Sequence, residues 1–224
     1  TADYPTLTDA VNDLVLKGIS GAVIFNLQDG NYNEQISLVS VPGASATNTI
    51  TFQSQTSRAN VIIYYSATGA GDNYVVKLRG ADYITFQNLT LQAIGTSYAR
   101  IFELFGGVDN LKIASNLLVG YATTSSSANY YLIFSDNYFN GNIQITGNTF
   151  SQGSWGVFLY GLSGTVPTTG TRVLNDTFAT GYGGVSLQYH KSAYVNGNVI
   201  NPSANSGYGI NVYDCDDSLQ IQKN

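Results

Sequence analysis

The chain has 224 residues, a net charge of −5 and only 10% charged residues, against about a quarter in an ordinary soluble domain; Asn, Ser, Thr, Gly and 17 Tyr fill the gap and hydrate the surface with amides and hydroxyls. The nine Lys and Arg stand singly, so no basic stripe offers itself to phosphates and the composition argues against nucleic acid as a partner. No apolar run nears the ~20 residues of a membrane helix, and a single cysteine, Cys215, excludes an internal disulfide.

In chain order, the opening TADYPTL, together with the absence of any Met, leads to the expectation of a mature or excised piece of a longer protein. The stretch PTLTDAVNDLVLKG then places Leu7, Ala10, Val11 and Leu14 on one helical face. Thr6 and Asp9 form a T-x-x-D capping box, and Gly18 after Lys17 is a stop signal. A helix over residues 6–17 is therefore predicted. Ser40–Tyr74 is less regular, although TITFQSQ and NVIIYYS alternate as strands do. Ala44–Asn48, Ser66–Gly71 and Ala122–Asn129 read as loops.

From there one phrase keeps returning, an apolar residue three positions before an Asn. It occurs as LKIASNLL (Asn116), LIFSDNYF (Asn137), IQITGNTF (Asn148), YVNGNVI (Asn198) and LQIQKN (Asn224). RVLNDTF carries Asp176 in the Asn place, and ITFQNLTL (Asn88) is one residue shorter. The spacings are 28, 21, 11, 28, 22 and 26 residues; most are those of a solenoid, and the 11 suggests two faces of one coil. A second phrase, Gly-apolar-x-apolar, lies between: GVFL (156–159), GVSL (184–187) and GINV (209–212), with VKL (76–78) and FEL (102–104) fitting without the Gly. Each repeat thus holds at least two period-2 strands. A single coil cannot close a core, whereas stacked coils can, each strand pairing with its copy about 4.8 Å along the axis. The fold class expected is all-β: a right-handed parallel β-helix, one domain over residues 1–224, its first coil plugged by the helix. The repeated Asn suits a left-handed turn and an amide ladder. The last phrase breaks off without a lid, so further C-terminal coils are expected.

The segment DYPTLTDAVNDLVLKGISGAVIFNLQDGNYNEQI (3–36) resembles the opening of pectin-lyase-like right-handed β-helices, pectin methylesterases especially. ITFQSQ, NYVVKLRGADYITFQNLTL and the GNTF…GVFLYG repeats are closer still to β-helix regions of large secreted bacterial surface proteins. The resemblance implies the right-handed coil and export to the cell surface. Its motifs are core, turn and ladder residues, specific for fold and weak for activity. The Gly-x-Val-Asp-Phe-type strand of the methylesterases is not found, nor is the Arg motif of pectate lyases. For the paired Asp and His-Gly of polygalacturonases, the DCDD cluster is the nearest acidic group, and His190 is followed by Lys191.

Registering the second phrase by its inward residues leaves two outward columns. One is Lys77, Glu103, Phe158, Ser186 and Asn211; the other is Arg79, Phe105, Tyr160, Gln188 and Tyr213. Aromatic rings stack on the C–H faces of pyranoses, and amides and carboxylates bind their hydroxyls. Glu103, Phe105, Phe158, Tyr160, Gln188, Asn211 and Tyr213 are therefore the candidate carbohydrate-binding residues; stacked aromatics that merely cover a sheet are the alternative. His190 and Cys215 fall in register, as do Lys191 and Asp216. A buried Cys beside a packed His is a commoner arrangement than a catalytic pair, and Lys191–Asp216 reads as a surface ion pair. Asp214, Asp216 and Asp217 are a weak calcium candidate; otherwise no cofactor is expected. Glu34 and Glu103, the only glutamates, lie far apart in sequence. These readings point to a monomeric, secreted or cell-surface bacterial module that is non-catalytic, with adhesion or the binding of a polysaccharide or surface glycan as its expected roles. The alternative is a polysaccharide-active enzyme, a lyase, esterase or glycoside hydrolase of the same fold.

Overall fold

The computed structural model describes residues 3–138, 140–162, 168–205 and 207–224. It is a right-handed parallel β-helix of seven coils, closed at the N-terminal end by a helix, α1 (Leu7–Lys17). Each coil contributes one strand to each of three parallel sheets. Sheet A runs from Val23–Leu27 to Gln220–Gln222, and sheet B from Gly30–Asn33 to Val199–Ile200. Sheet C stacks Ile36–Val39, Val76–Arg79, Phe102–Phe105, Ile133–Ser135, Trp155–Tyr160, Gly183–Gln188 and Tyr208–Tyr213. A short extra pair, Thr168–Thr169 with His190–Lys191, extends one corner. Among the described residues no helix is long and apolar enough to cross a membrane.

Alternation does the packing. In sheet A the inward residue of successive coils is Phe25, Phe52, Phe86, Ile113, Ile145, Val173, Val195 and Ile221, in strict register. The phenylalanines stack at 4.8 and 5.1 Å between centroids, each pair 10° from parallel. In sheet B, Phe150 and Phe178 stack at 4.4 Å. Like residues recur because each side chain sits directly over its counterpart, and a flat ring at that spacing leaves no gap.

The helix starts and stops where the sequence places it, with Thr6 as N-cap rather than first helical residue. Thr6 Oγ1 accepts from the Asp9 amide at 3.0 Å, but the Asp9 carboxylate takes the Thr6 hydroxyl proton at 2.6 Å and does not reach back to the backbone. Glu34 of the first coil supplies the missing acceptor, receiving the amides of Leu7 (3.0 Å) and Thr8 (2.7 Å). A carboxylate at a helix N-terminus is favoured by both the free N–H groups and the dipole. Leu7, Val11 and Leu14 then bury against Leu27, Ile36 and Leu38 as a lid. At the other end the last coil leaves Tyr208, Val212 and Ile221 exposed.

The repeated Asn divides its two expected duties between neighbouring positions. The turn from sheet A to sheet B holds one residue in the left-handed region: Asn88, Ser115, Gly147, Asn175, Gly197 and Lys223, with φ between 52° and 69°. The residue after it forms the ladder. Leu89 N–H donates to Asn116 Oδ1, Asn116 N–H to Asn148 Oδ1, Asn148 N–H to Asp176 Oδ1, Asp176 N–H to Asn198 Oδ1 and Asn198 N–H to Asn224 Oδ1, at 2.6–3.1 Å. The side-chain amides of Asn116, Asn148, Asn198 and Asn224 also donate to the carbonyls of Phe86, Ile113, Val173 and Val195, one coil back. Asn88 is therefore a turn residue, with Leu89 in its ladder place. Asn137 belongs to neither set: it is exposed after the sheet C strand Ile133–Ser135, which explains the spacing of 11. Short 3₁₀ turns, Ala70–Asp72 and Ala128–Tyr130, close two of the expected loops.

Replacing Asn148 by Ala strips the Asn116 amide of its acceptor and the Ile113 carbonyl of a donor, both in the interior. A loss of about 2–4 kcal/mol of stability is expected, read by chemical denaturation, with faster hydrogen exchange at the Asn116 amide than at the core amides two coils away.

Candidate functional site

Because sheet C strands alternate in and out, its outer face is set by register alone. One outward column runs Ser37, Lys77, Glu103, Phe134, Phe158, Ser186 and Asn211. Beside it run Val39, Arg79 and Phe105, then Tyr160, Gln188 and Tyr213. All seven candidate residues lie on this face. Sequence reasoning missed Phe134, whose strand had been assigned to the Asn phrase; the gap of two coil lengths between Glu103 and Phe158 was the available signal.

The face divides into three zones. Near the helix end, Glu103 is held from both sides: Lys77 Nζ lies 2.7 Å from Oε2 and Arg100 Nη1 3.2 Å from Oε1. Arg100 also donates through Nε to the Ala128 carbonyl at 2.8 Å, and its guanidinium lies 4.0 Å from the centre of the Phe134 ring. Burial holds the Arg100 pKa below its ordinary value, opposed by Glu103. Lys77 is flanked by the rings of Tyr74 and Phe105. Glu103 is thus the counter-ion of a cation pair.

In the middle the aromatics pack on one another. Phe158 stacks on Tyr131 at 4.6 Å and meets the edge of Trp155 at 6.0 Å. The Trp155 ring covers Gly183, where an added Cβ would lie 2.5 Å from it, and runs nearly parallel to Tyr208. The segment 121–130 walls this zone: Ser154 Oγ donates to the Ser125 carbonyl and Tyr131 Oη to the Ser126 carbonyl. Burial pushes the Tyr131 phenol up. Phe158 is floor, half-buried beneath its neighbours.

Along the other rim two rings are open and Tyr138, Tyr160 and Tyr189 are half-buried. Phe105 is 39% exposed and Tyr213 55%. Phe105 pairs with Tyr138 at 4.7 Å, and Tyr189 joins Tyr160 and Tyr213 edge-on at 5.3 and 5.7 Å. The neighbouring Tyr160 phenol pushes that of Tyr189 up to about 12. Gln188 lies half-buried between the tyrosine rungs, and Asn211 Nδ2 donates to Ser186 Oγ at 3.1 Å. Tyr138 and Tyr189 escaped the sequence reading because they sit in turns, outside the strand alternation.

His190 and Cys215 do lie on adjacent coils, where Asp216 N–H donates to the His190 carbonyl at 2.9 Å. The imidazole is fully engaged: Nε2 is 3.1 Å from the Leu159 carbonyl and Nδ1 is 3.1 Å from Thr171 Oγ1. A carbonyl can only accept, so Nε2 carries the proton and Nδ1 accepts from Thr171. Burial lowers the imidazole pKa to about 4 and raises that of the Cys215 thiol; the Sγ points at the carbonyls of Leu187 and Tyr213. Neither is an activated group. Lys191 bonds Asp217, at 3.0 Å, instead of Asp216, whose backbone bridges Lys191. Among the described residues no three His, Cys, Asp or Glu side chains group as a metal site. Glu34 serves the helix and is remote from Glu103 in the fold, two coils away.

No protein family's sequence profile matches the chain, and no curated protein matches it. Among solved structures it is similar to a pectin methylesterase mutant in complex with a hexasaccharide, with a TM-score of 0.53 and 12% identity over 92% of this chain and 65% of that one. A second pectin methylesterase complex with a hexasaccharide gives a TM-score of 0.43 and 10% identity over 88% of this chain and 87% of that one. The chain spans just under two thirds of the first of these.

With a folded value of about 4 against 6.5 for an ordinary histidine, His190 favours the fold fully above pH 6.5 and less as the pH falls towards 4, because only the unfolded chain takes up the proton there. Its imidazole NMR signals are expected to stay at the neutral position down to pH 5.

Proposed function

Taking the pectin-lyase-like parallel β-helix as the fold of this chain, we propose that it is a non-catalytic, carbohydrate-binding module of a bacterial surface or secreted protein, and that the outer face of sheet C is its binding surface. The observation that carries this reading is the open aromatic rim. Phe105, Tyr138, Tyr160, Tyr189 and Tyr213 follow one another along the solenoid axis on successive coils. Rings repeating at the coil spacing of about 4.8 Å form a platform for an extended polymer, with Gln188 and Asn211 beside it for hydroxyls. Phe105 and Tyr213 are exposed and the three rings between them half-buried; large rings reaching solvent in one stripe are less usual than scattered ones. The platform carries little charge of its own, which suits a neutral polysaccharide better than a uronate, whose carboxylates need offsetting cations.

A second reading, a polysaccharide-active enzyme, draws support from the likeness in fold to a pectin methylesterase that has been captured with a hexasaccharide. The side chains weigh against it. Glu103 is locked between two cations, and both ring nitrogens of His190 are occupied.

Affinity electrophoresis through gels containing neutral polysaccharides, pectin or polygalacturonate tests both. Retardation by a neutral polymer is expected, weakened roughly three- to tenfold by Tyr160→Ala or Tyr213→Ala, with no reducing ends, unsaturated products or methanol released. Product release would establish the enzyme, and absence of retardation by every polymer would overturn the module.

A further inference from the structure

The amide ladder contains one member of the wrong chemistry. Asp176 stands where the flanking coils carry Asn148 and Asn198, and it is 1% exposed. Its Oδ1 accepts the backbone amide of Asn148 at 2.6 Å and the side-chain amide at 2.9 Å. Its Oδ2 is buried without a partner. At this same position each Asn of the ladder donates its side-chain amide to the carbonyl one coil back, three residues before its own counterpart. By register the corresponding carbonyl for Asp176 is that of Ile145. A carboxylate oxygen facing a carbonyl sets acceptor against acceptor in the interior; a carboxylic acid O–H there would act as the amide does.

We propose that Asp176 is a proton-operated joint in the solenoid: carrying a proton on Oδ2 it completes the ladder between the fifth and sixth coils, and on losing that proton it loosens them. Burial pushes its pKa up to about 7, only partly opposed by the Asn148 bonds and the Leu174 backbone, which brings the transition into the physiological range. The groups packed on it are neutral, Asn148 from the coil before and Asn198 from the coil after. The nearest charged side chains on this corner are engaged or turned outward. Arg58 bonds the Asn116 carbonyl and reaches Thr149, whereas Arg172 and Lys223 are exposed. Among the described residues no ion pair therefore anchors the ionised form.

The sign follows from linkage. The folded acid holds its proton up to about pH 7, whereas an unfolded aspartate releases it near 3.8. Between these values folding takes up a proton, so the stability due to Asp176 is full at low pH and falls as pH rises to about 7. His190 contributes an opposite slope over part of this interval, so the informative quantity is the comparison with Asp176→Asn, which keeps His190 and restores the amide. Equilibrium unfolding in urea from pH 4.5 to 8.5 is expected to show the ratio of wild-type to Asp176→Asn unfolding constants rising by up to tenfold per pH unit, then levelling above pH 7. A ratio independent of pH would overturn the proposal. Infrared spectroscopy of the wild-type chain tests the proton without any variant. A protonated-carboxyl band persisting at pH 6 and bleaching towards pH 8 is expected; its absence at pH 6 would overturn the joint equally.

Discussion

Backbone hydrogen bonds in this protein run from coil to coil. Every inner strand of the three sheets gives its N–H and C=O groups to the strands of the preceding and following coils, so no coil can satisfy its own backbone or close its own core. This one constraint accounts for most of the rest. It requires each inward side chain to lie over its counterpart, which yields the phenylalanine stacks. It requires sharp turns to repeat at fixed places, which yields the left-handed residues and the buried ladder that follows them. It leaves an unpaired edge and an open core at the first coil, which α1 covers with its apolar face, tied down by Glu34. A buried ladder of amides is stable only while every donor finds an acceptor, and Asp176 is where that rule is met by a proton instead of an amide.

The same constraint frees the outside. Outward positions on sheet C take no part in closing the core, so they can carry chemistry the fold does not dictate. The face uses that freedom in two ways. Near the helix end it is fixed by ion pairing, Glu103 bridging Lys77 and Arg100 in a half-buried setting where an isolated charge would be costly. Farther along it offers rings and amides to solvent. A polymer lying on this surface would meet rungs of similar chemistry at each coil, which makes the solenoid axis its natural direction.

The strand alternation in VKL, FEL, GVFL, GVSL and GINV put the residues it named on the outer face of one sheet, because a period of two admits only one face once the inward residues are known. The same reasoning passed over Phe134, since LIFSDNYF satisfied the Asn template by coincidence while belonging to another sheet. Tyr138 and Tyr189 were invisible to it, as turn residues obey no alternation. Asn88 was aligned with the others as both turn and ladder residue although it supplies the turn and bonds Ser54 rather than the ladder, because two adjacent positions share the preference for Asn for different reasons.

The amino-acid sequence by itself determined the coil: its period, its inward residues, its capping helix and the sheet that would carry the exposed rings. Those are properties of local alternation and of residues that recur at a fixed interval. Only the tertiary structure decided the partners of each polar group. It set Glu103 between two cations, gave Lys191 to Asp217, closed both nitrogens of His190 and left Asp176 Oδ2 buried without a partner. The reason is physical. Burial and hydrogen-bond direction depend on atoms from three coils at once, whereas periodicity is written along a single one.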